Sequence, residues 1–180
     1  LCGYEWVYVE ITDADGSRAM SVFTTLISDG GKTMAFDSLP EAEKGYLAGL
    51  IDGEAYIGIT KSIRKDNGRV RYAPSFRIRM TDYAIVKSLH LLFSGSYHYY
   101  RKTPKKHKDQ WEWVLDYKQG RDFIEKILPY LKIKKPQALV YLEYYKAIPD
   151  RRGRKKRTDA EIQAGELLYQ KMRKLNKRGK

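Results

Sequence analysis

The chain has a single cysteine, Cys2, which excludes an internal disulfide and any multi-cysteine metal site. Its three histidines, His90, His98 and His107, have no zinc-ligand spacing with that cysteine. Long apolar runs are also missing. No stretch of about 18 or more uncharged apolar residues occurs, so no membrane span is expected. The first residues do not read as a signal peptide. No repeat of roughly 20–50 residues is strong enough to suggest a solenoid. These absences predict an intracellular protein of the cytoplasm or nucleoid, with an organelle left open.

Acidic residues are the scarcer sign. The 180 residues carry 35 Lys and Arg against 22 Asp and Glu, a formal charge of +13. Residues 1–40 hold only two basic side chains, Arg18 and Lys32, and six acidic ones, which makes them −4. The other 140 residues are therefore +17. A surplus of that size on one globular unit favours a polyanion, most often nucleic acid.

The hydrophobic pattern predicts an α+β chain. Residues 6–12 and 18–27 flank "DADG" as a hairpin, and 28–37 read as a loop. "SLPE" reads as a capping box from Ser38 to Glu41, opening a helix from about Leu39 to Asp52. Strands follow at 55–64 and 69–79 around the turn "KDNG", with Pro74 arguing for an edge or a bulge. Asp82 caps a helix with Ile85, Leu89 and Leu92 on its apolar face. Further strands at 96–102 and 110–117 precede helices at about 119–130 and 137–148. A last helix at 158–175 carries a second capping box, Thr158 with Glu161. The expected organisation is an N-terminal extension (1–39, hairpin and loop), a core (40–150), and a basic loop with a C-terminal helix (151–180).

The first helix, "EKGYLAGLIDGEAYIGI", is the informative one. Gly45, Gly49 and Gly53 recur every four residues, yet each glycine costs a helix interior about 1 kcal/mol relative to alanine. Gly45 and Gly49, flanked by Ala48 and Asp52, form a strip that lets another helix backbone come close. That partner is a second copy or another helix of the same chain. Tyr46, Leu47, Leu50 and Ile51 are expected to face the chain's own core. Asp52 and Glu54 add negative charge to a helix C-terminus that is already negative. Such an end repels anions but suits a hard divalent cation bound by oxygens.

"GYLAGLIDGEAYIGI" resembles the signature of the LAGLIDADG homing endonucleases, most closely over Leu47 to Glu54. The resemblance continues through "FRIRMTDYAIVKSLHLLFSG" and "ILPYLKIKKPQALVYLEYY", about Glu41 to Ile148. It implies an αββαββα fold whose curved antiparallel sheet straddles DNA. It also implies a dimer interface at the motif helices, here Gly45, Ala48, Gly49 and Asp52. Glu54, with the Gly53 carbonyl, would hold Mg²⁺, or another divalent ion such as Mn²⁺, or Ca²⁺ in a non-cleaving complex. Lys134, in "LKIKKPQA", matches the active-site lysine. The family's Gln or Asn after the second strand is absent, since Met80 stands there, and Ala84 replaces an expected basic residue. Arg79 or Lys87 are the candidates to compensate. "EITDADGS" at 10–17 carries the letters DADG without the small-residue strip, so it reads as a turn. One motif per chain implies a homodimer on a roughly palindromic site.

Strand alternation supplies the DNA-reading candidates: Thr60, Ser62, Arg64, Arg69, Arg71, Ser75, Arg77 and Arg79 on the first pair of strands. The second pair offers His98, Tyr100, Lys102, Gln110 and Glu112, with register left open. Arginine suits guanine edges in the major groove. Trp111 and Trp113 share the opposite face and read as core. Arg151, Arg152 and Arg154, with the basic stretch 171–180, are expected to touch flanking phosphates. The expected activity is a Mg²⁺-dependent, site-specific double-strand DNA endonuclease acting as a homodimer. An RNA-binding intron maturase or a non-catalytic DNA-binding regulator on the same scaffold are the alternatives.

Overall fold

A computed structural model describes residues 9–12, 18–21, 36–66, 68–101, 108–149 and 157–177. Strands β1 (Val9–Thr12) and β2 (Arg18–Ser21) pair antiparallel. The "DADG" turn between them lies outside the described residues. A 3-10 turn at Phe36–Ser38 precedes α1 (Glu41–Glu54). Then come β3 (Ala55–Ile63), β4 (Val70–Met80), α2 (Tyr83–Phe93), β5 (Ser96–Tyr100), β6 (Gln110–Leu115) and α3 (Tyr117–Ile127). Helices α4 (Lys135–Ala147) and α5 (Asp159–Leu175) complete the chain. From α1 to α3 the order is αββαββα.

Strands β3 to β6 form one antiparallel sheet in the order β3-β4-β6-β5. Alternation divides its faces cleanly. Ile57, Ile59, Tyr72, Phe76, Ile78, Trp113 and Leu115 are buried on the helix side. Pro74 pairs with Ile59, but β6 joins β4 only from Phe76 onward. The missing N–H of Pro74 therefore falls where β4 has no second neighbour.

The start of one helix and the buried face of another differ from the sequence pattern. Ser38 closes the 3-10 turn, and α1 opens at Glu41 with Pro40 as its N-cap. Glu41, in the first turn, accepts from Lys44 at 2.8 Å and from the Tyr130 hydroxyl at 3.4 Å. On α2 it is Val86, Leu89 and Leu92 that are buried, while Ile85 is only partly so. Asp82 caps that helix through the Ile85 N–H, and the Thr158–Glu161 capping box of α5 is complete.

Helix α5 joins the same core. Leu168 and Met172 are buried in it, and a Cβ on Gly165 would meet the Tyr72 ring at 2.6 Å. The Asn176 amide, just past α5, donates to the Ile57 carbonyl of the sheet's edge strand at 2.9 Å. No helix among the described residues is long and apolar enough to cross a membrane.

Candidate active site and nucleic-acid interface

Helix α1 turns Leu47, Ala48 and Ile51 into the core. Gly45, Gly49 and Gly53 lie on its exposed side, and a Cβ built on any of them meets nothing within 4 Å. Among the described residues, then, no helix of the same chain packs on the glycine strip. Two expectations are corrected here. Ala48, assigned to the strip, is 3% exposed and packs inward. Tyr46, assigned to the core, is 48% exposed beside the strip.

Asp52 has a task inside its own chain. Its Oδ2 accepts the Lys132 and Ile133 N–H groups at 2.9 and 3.1 Å, and its Oδ1 accepts the Lys134 N–H at 2.8 Å. Burial raises the Asp52 carboxyl, but these three donors and the Lys134 charge outweigh it and hold it below the ordinary carboxylate range. Asp52 thereby clamps the loop before α4 onto the end of α1.

That clamp places Lys134. Its half-buried Nζ donates to the Ile51 carbonyl at 2.9 Å, where a cation offsets the negative helix end. Desolvation lowers the Lys134 pKa, and attraction to Asp52 and Glu54 opposes this only in part. Glu54, the last residue of α1, is exposed, and its carboxylate makes no hydrogen bond among the described residues. Gly53 is exposed beside it, in the last turn of the helix, where carbonyls lose their intrahelical donors. A carboxylate and a carbonyl are the hard oxygen donors that Mg²⁺ or Ca²⁺ takes, so the pair fits such an ion. Among the described residues no three His, Cys, Asp or Glu side chains gather into one cluster. One chain thus offers part of a coordination shell.

The outer sheet face carries the basic candidates in register. Ser62 lies opposite Arg71, Gly58 opposite Ser75, and Tyr56 opposite Arg77. Arg79 lies opposite Glu112, His98 opposite Glu112 on the other side, and Tyr100 opposite Gln110. This fixes the register left open by sequence: His98 and Tyr100 share the arginine face. Tyr97 and Tyr99 turn to the other face, where Tyr99 sits 5.4 Å from the Trp111 ring and Trp113 is fully buried.

Several candidates have partners already. Thr60 donates its hydroxyl to the Ala73 carbonyl, and Arg64 pairs with Asp66. Arg71 is exposed and lines a crevice with Arg157, Tyr144 and Glu161. Arg69 and Ser62 are exposed at the hairpin end, and Ser75 and Gln110 are half-buried. Glu112 does not project as a reading group: it is 3% exposed under Arg77 and Arg79. Lys102, Arg151, Arg152 and Arg154 lie outside the described residues. Of the residues expected to compensate for Met80 and Ala84, Arg79 is bound to Glu112 and Lys87 lies over the Tyr83 ring. Met80 itself packs against the core.

Two features escaped the sequence reading. Tyr56 lies over Gly58, where a Cβ would meet its ring at 2.4 Å, and carries the Arg77 guanidinium 4.6 Å from its centroid. An aromatic followed two residues later by glycine on the same strand face was the available signal. The second is a groove of about 630 Å³ between Tyr56 and Ile59 of β3 and the end of α5, lined by Arg173, Lys174 and Lys177. Nothing local in the sequence brings α5 to β3; long-range packing does.

The topology also occurs in solved structures. The homing endonuclease I-CvuI, in complex with its target in the presence of calcium, superposes with a TM-score of 0.62 at 21% identity, over 77% of this chain and 85% of that one. This is the LAGLIDADG homing endonuclease fold. The archaeal intron-encoded homing endonuclease I-Vdi141I, complexed with DNA, gives 0.51 at 16% identity, over 76% of this chain and 98% of that one. The LAGLIDADG homing endonuclease I-SmaMI, bound to cleaved DNA, gives 0.57 at 11% identity, and this chain spans 74% of itself but only 44% of that protein. Neither a protein-family model nor a curated protein sequence matches the chain. At these identities the likeness establishes the LAGLIDADG homing endonuclease fold.

Proposed function

We propose that the chain is a site-specific double-strand DNA endonuclease that acts as a homodimer with a divalent cation, Mg²⁺ for cleavage. The observation that carries this reading is the end of α1. An exposed carboxylate, Glu54, stands at the tip of a helix whose glycine face meets nothing among the described residues. Two copies joined along that face would set two Glu54–Gly53 pairs side by side beneath two arginine-rich sheets. The match to less than half of I-SmaMI, at comparable coverage of this chain, supports one chain per half-site. A roughly palindromic target follows from the two-fold axis.

Glu54 and the Gly53 carbonyl would hold the ion. Bound there, it would lower the pKa of a water and neutralise charge on the scissile phosphate. Lys134 holds its ammonium against the end of the same helix and stabilises negative charge developing beside Glu54. Asp52 keeps Lys134 in place through three backbone hydrogen bonds. Arginines of the outer face contact bases and phosphates of the half-site, and the Arg173, Lys174 and Lys177 groove takes backbone phosphate at its margin.

The test is a cleavage selection from a randomised duplex library with Mg²⁺. The wild-type chain is expected to release double-strand ends sharing one sequence. Glu54→Gln is expected to retain binding to that sequence and release none. Binding without cleavage by the wild type would favour the regulator, and preference for structured RNA over any duplex would favour the maturase.

A further inference from the structure

Glu112 is buried on a surface whose other charged members are exposed, and every strand of the sheet contributes to what surrounds it. Its Oε1 accepts from Arg79 Nε at 3.0 Å and Arg79 Nη2 at 2.8 Å. Its Oε2 accepts from the Tyr100 hydroxyl at 2.9 Å. Arg77 Nε stands 3.6 Å from Oε1, an ion pair beyond hydrogen-bond length. The Arg79 guanidinium also stacks on Tyr100, 4.2 Å from the ring centroid, as Arg77 stacks on Tyr56. Tyr56 comes from β3, the arginines from β4, Glu112 from β6 and Tyr100 from β5.

We infer that Glu112 is a positioning residue that fixes Arg77 and Arg79 as a pair of guanine readers. An arginine has five N–H donors in a rigid fork. Arg79 spends its Nε edge on Glu112, which leaves the Nη1–Nη2 end free for two parallel hydrogen bonds. That end matches the O6 and N7 acceptors of guanine in the major groove. Stacking on Tyr100 removes rotation about the remaining side-chain bonds, so little conformational freedom is left to lose on binding. Arg77 and Arg79 remain 42% and 36% exposed, open on the outer side. A carboxylate beneath two cations lowers the local attraction for phosphate while it aims the donors. Glu112 therefore trades non-specific affinity for sequence discrimination. This inference rests on the endonuclease reading above.

Binding selections with the full-length chain and a randomised duplex library in Ca²⁺, followed by sequencing, test it. The wild type is expected to prefer guanine at two positions in each half-site. Glu112→Gln is expected to lose about tenfold or more of that preference at those positions alone, and to bind random duplex at least as tightly, with a salt slope steeper by about one. Glu112→Asp is expected to restore part of the preference. Arg79→Lys, which keeps the charge on an exposed side chain but not the fork, is expected to relax one of the two positions without disturbing the fold. Equal guanine preference in Glu112→Gln and wild type, or an unchanged profile in Arg79→Lys, overturns the inference and leaves the endonuclease reading intact. A wild-type chain with no preferred sequence overturns both.

Discussion

Replacing Gly49 by alanine should stabilise the chain and weaken the dimer proposed above, and few substitutions would split those effects so cleanly. Gly49 is exposed in the middle of α1, and an added Cβ meets nothing within 4 Å. Within one chain the substitution therefore gains helix propensity, about 1 kcal/mol, with no steric cost. For a chain of this length that raises the melting temperature by roughly 2–4 °C. Across the proposed two-fold axis the same methyl would appear twice, where two backbones would come close. Overpacking costs about 1–3 kcal/mol per site, so the pair costs roughly 2–6 kcal/mol and weakens association by at least about 30-fold. Sedimentation over a dilution series reads the association, and urea denaturation below the dissociation constant reads the chain. Gly120→Ala serves as the contrast, because its Cβ would meet the buried Tyr141 hydroxyl at 2.4 Å and should destabilise the chain outright. Unchanged association in Gly49→Ala, or a less stable isolated chain, would refute the argument.

Two further outcomes follow from the clamp behind the site. Asp52→Asn replaces an acceptor of three backbone hydrogen bonds by a group with one acceptor oxygen and an opposed donor. After discounting for water access it should cost about 2 kcal/mol in urea denaturation at neutral pH. Because the folded Asp52 pKa is depressed, its contribution is complete above the ordinary carboxylate value. It is lost as pH falls through the lowered folded value, so the wild-type and Asp52→Asn curves should converge in acid. Lys134→Met should lower kcat by about 10²–10³ with DNA affinity nearly unchanged, as for loss of one electrostatic donor. Burial lowers the Lys134 pKa, so wild-type cleavage should fail on an alkaline limb below the ordinary lysine value of 10.5, and Lys134→Arg should move that limb upward.

The fold was legible where local chemistry and periodicity agree. The β3–β4 alternation placed Arg71, Ser75, Arg77 and Arg79 on one face, and the Asp82 and Thr158 caps form where their spacing indicated. The start of α1 was misplaced because Ser38 belongs to a 3-10 turn that packs Phe36 on Phe123, a contact 87 residues away in sequence. Ala48 and Tyr46 were exchanged because a glycine strip and a core stripe adjoin on so short a helix, and only packing decides which margin is covered. Glu112 lies on the face offered for it once the β5–β6 register is fixed, but its burial was not legible. That depends on arginines from another strand folding over it. The task of Asp52 was hidden for the same reason, since its donors come from residues 132–134.

The central claim is that each chain brings one Glu54 to one strand of a shared duplex. The most direct test uses mixed dimers of wild-type and Glu54→Gln chains carrying different affinity tags, purified for one copy of each. With Mg²⁺ and a supercoiled plasmid bearing the selected site, the mixed dimer should nick one strand at the wild-type rate and yield almost no linear product. Linear product at the rate of the wild-type dimer, or double-strand breaks made by a chain that sediments as a monomer on its DNA, would contradict the account.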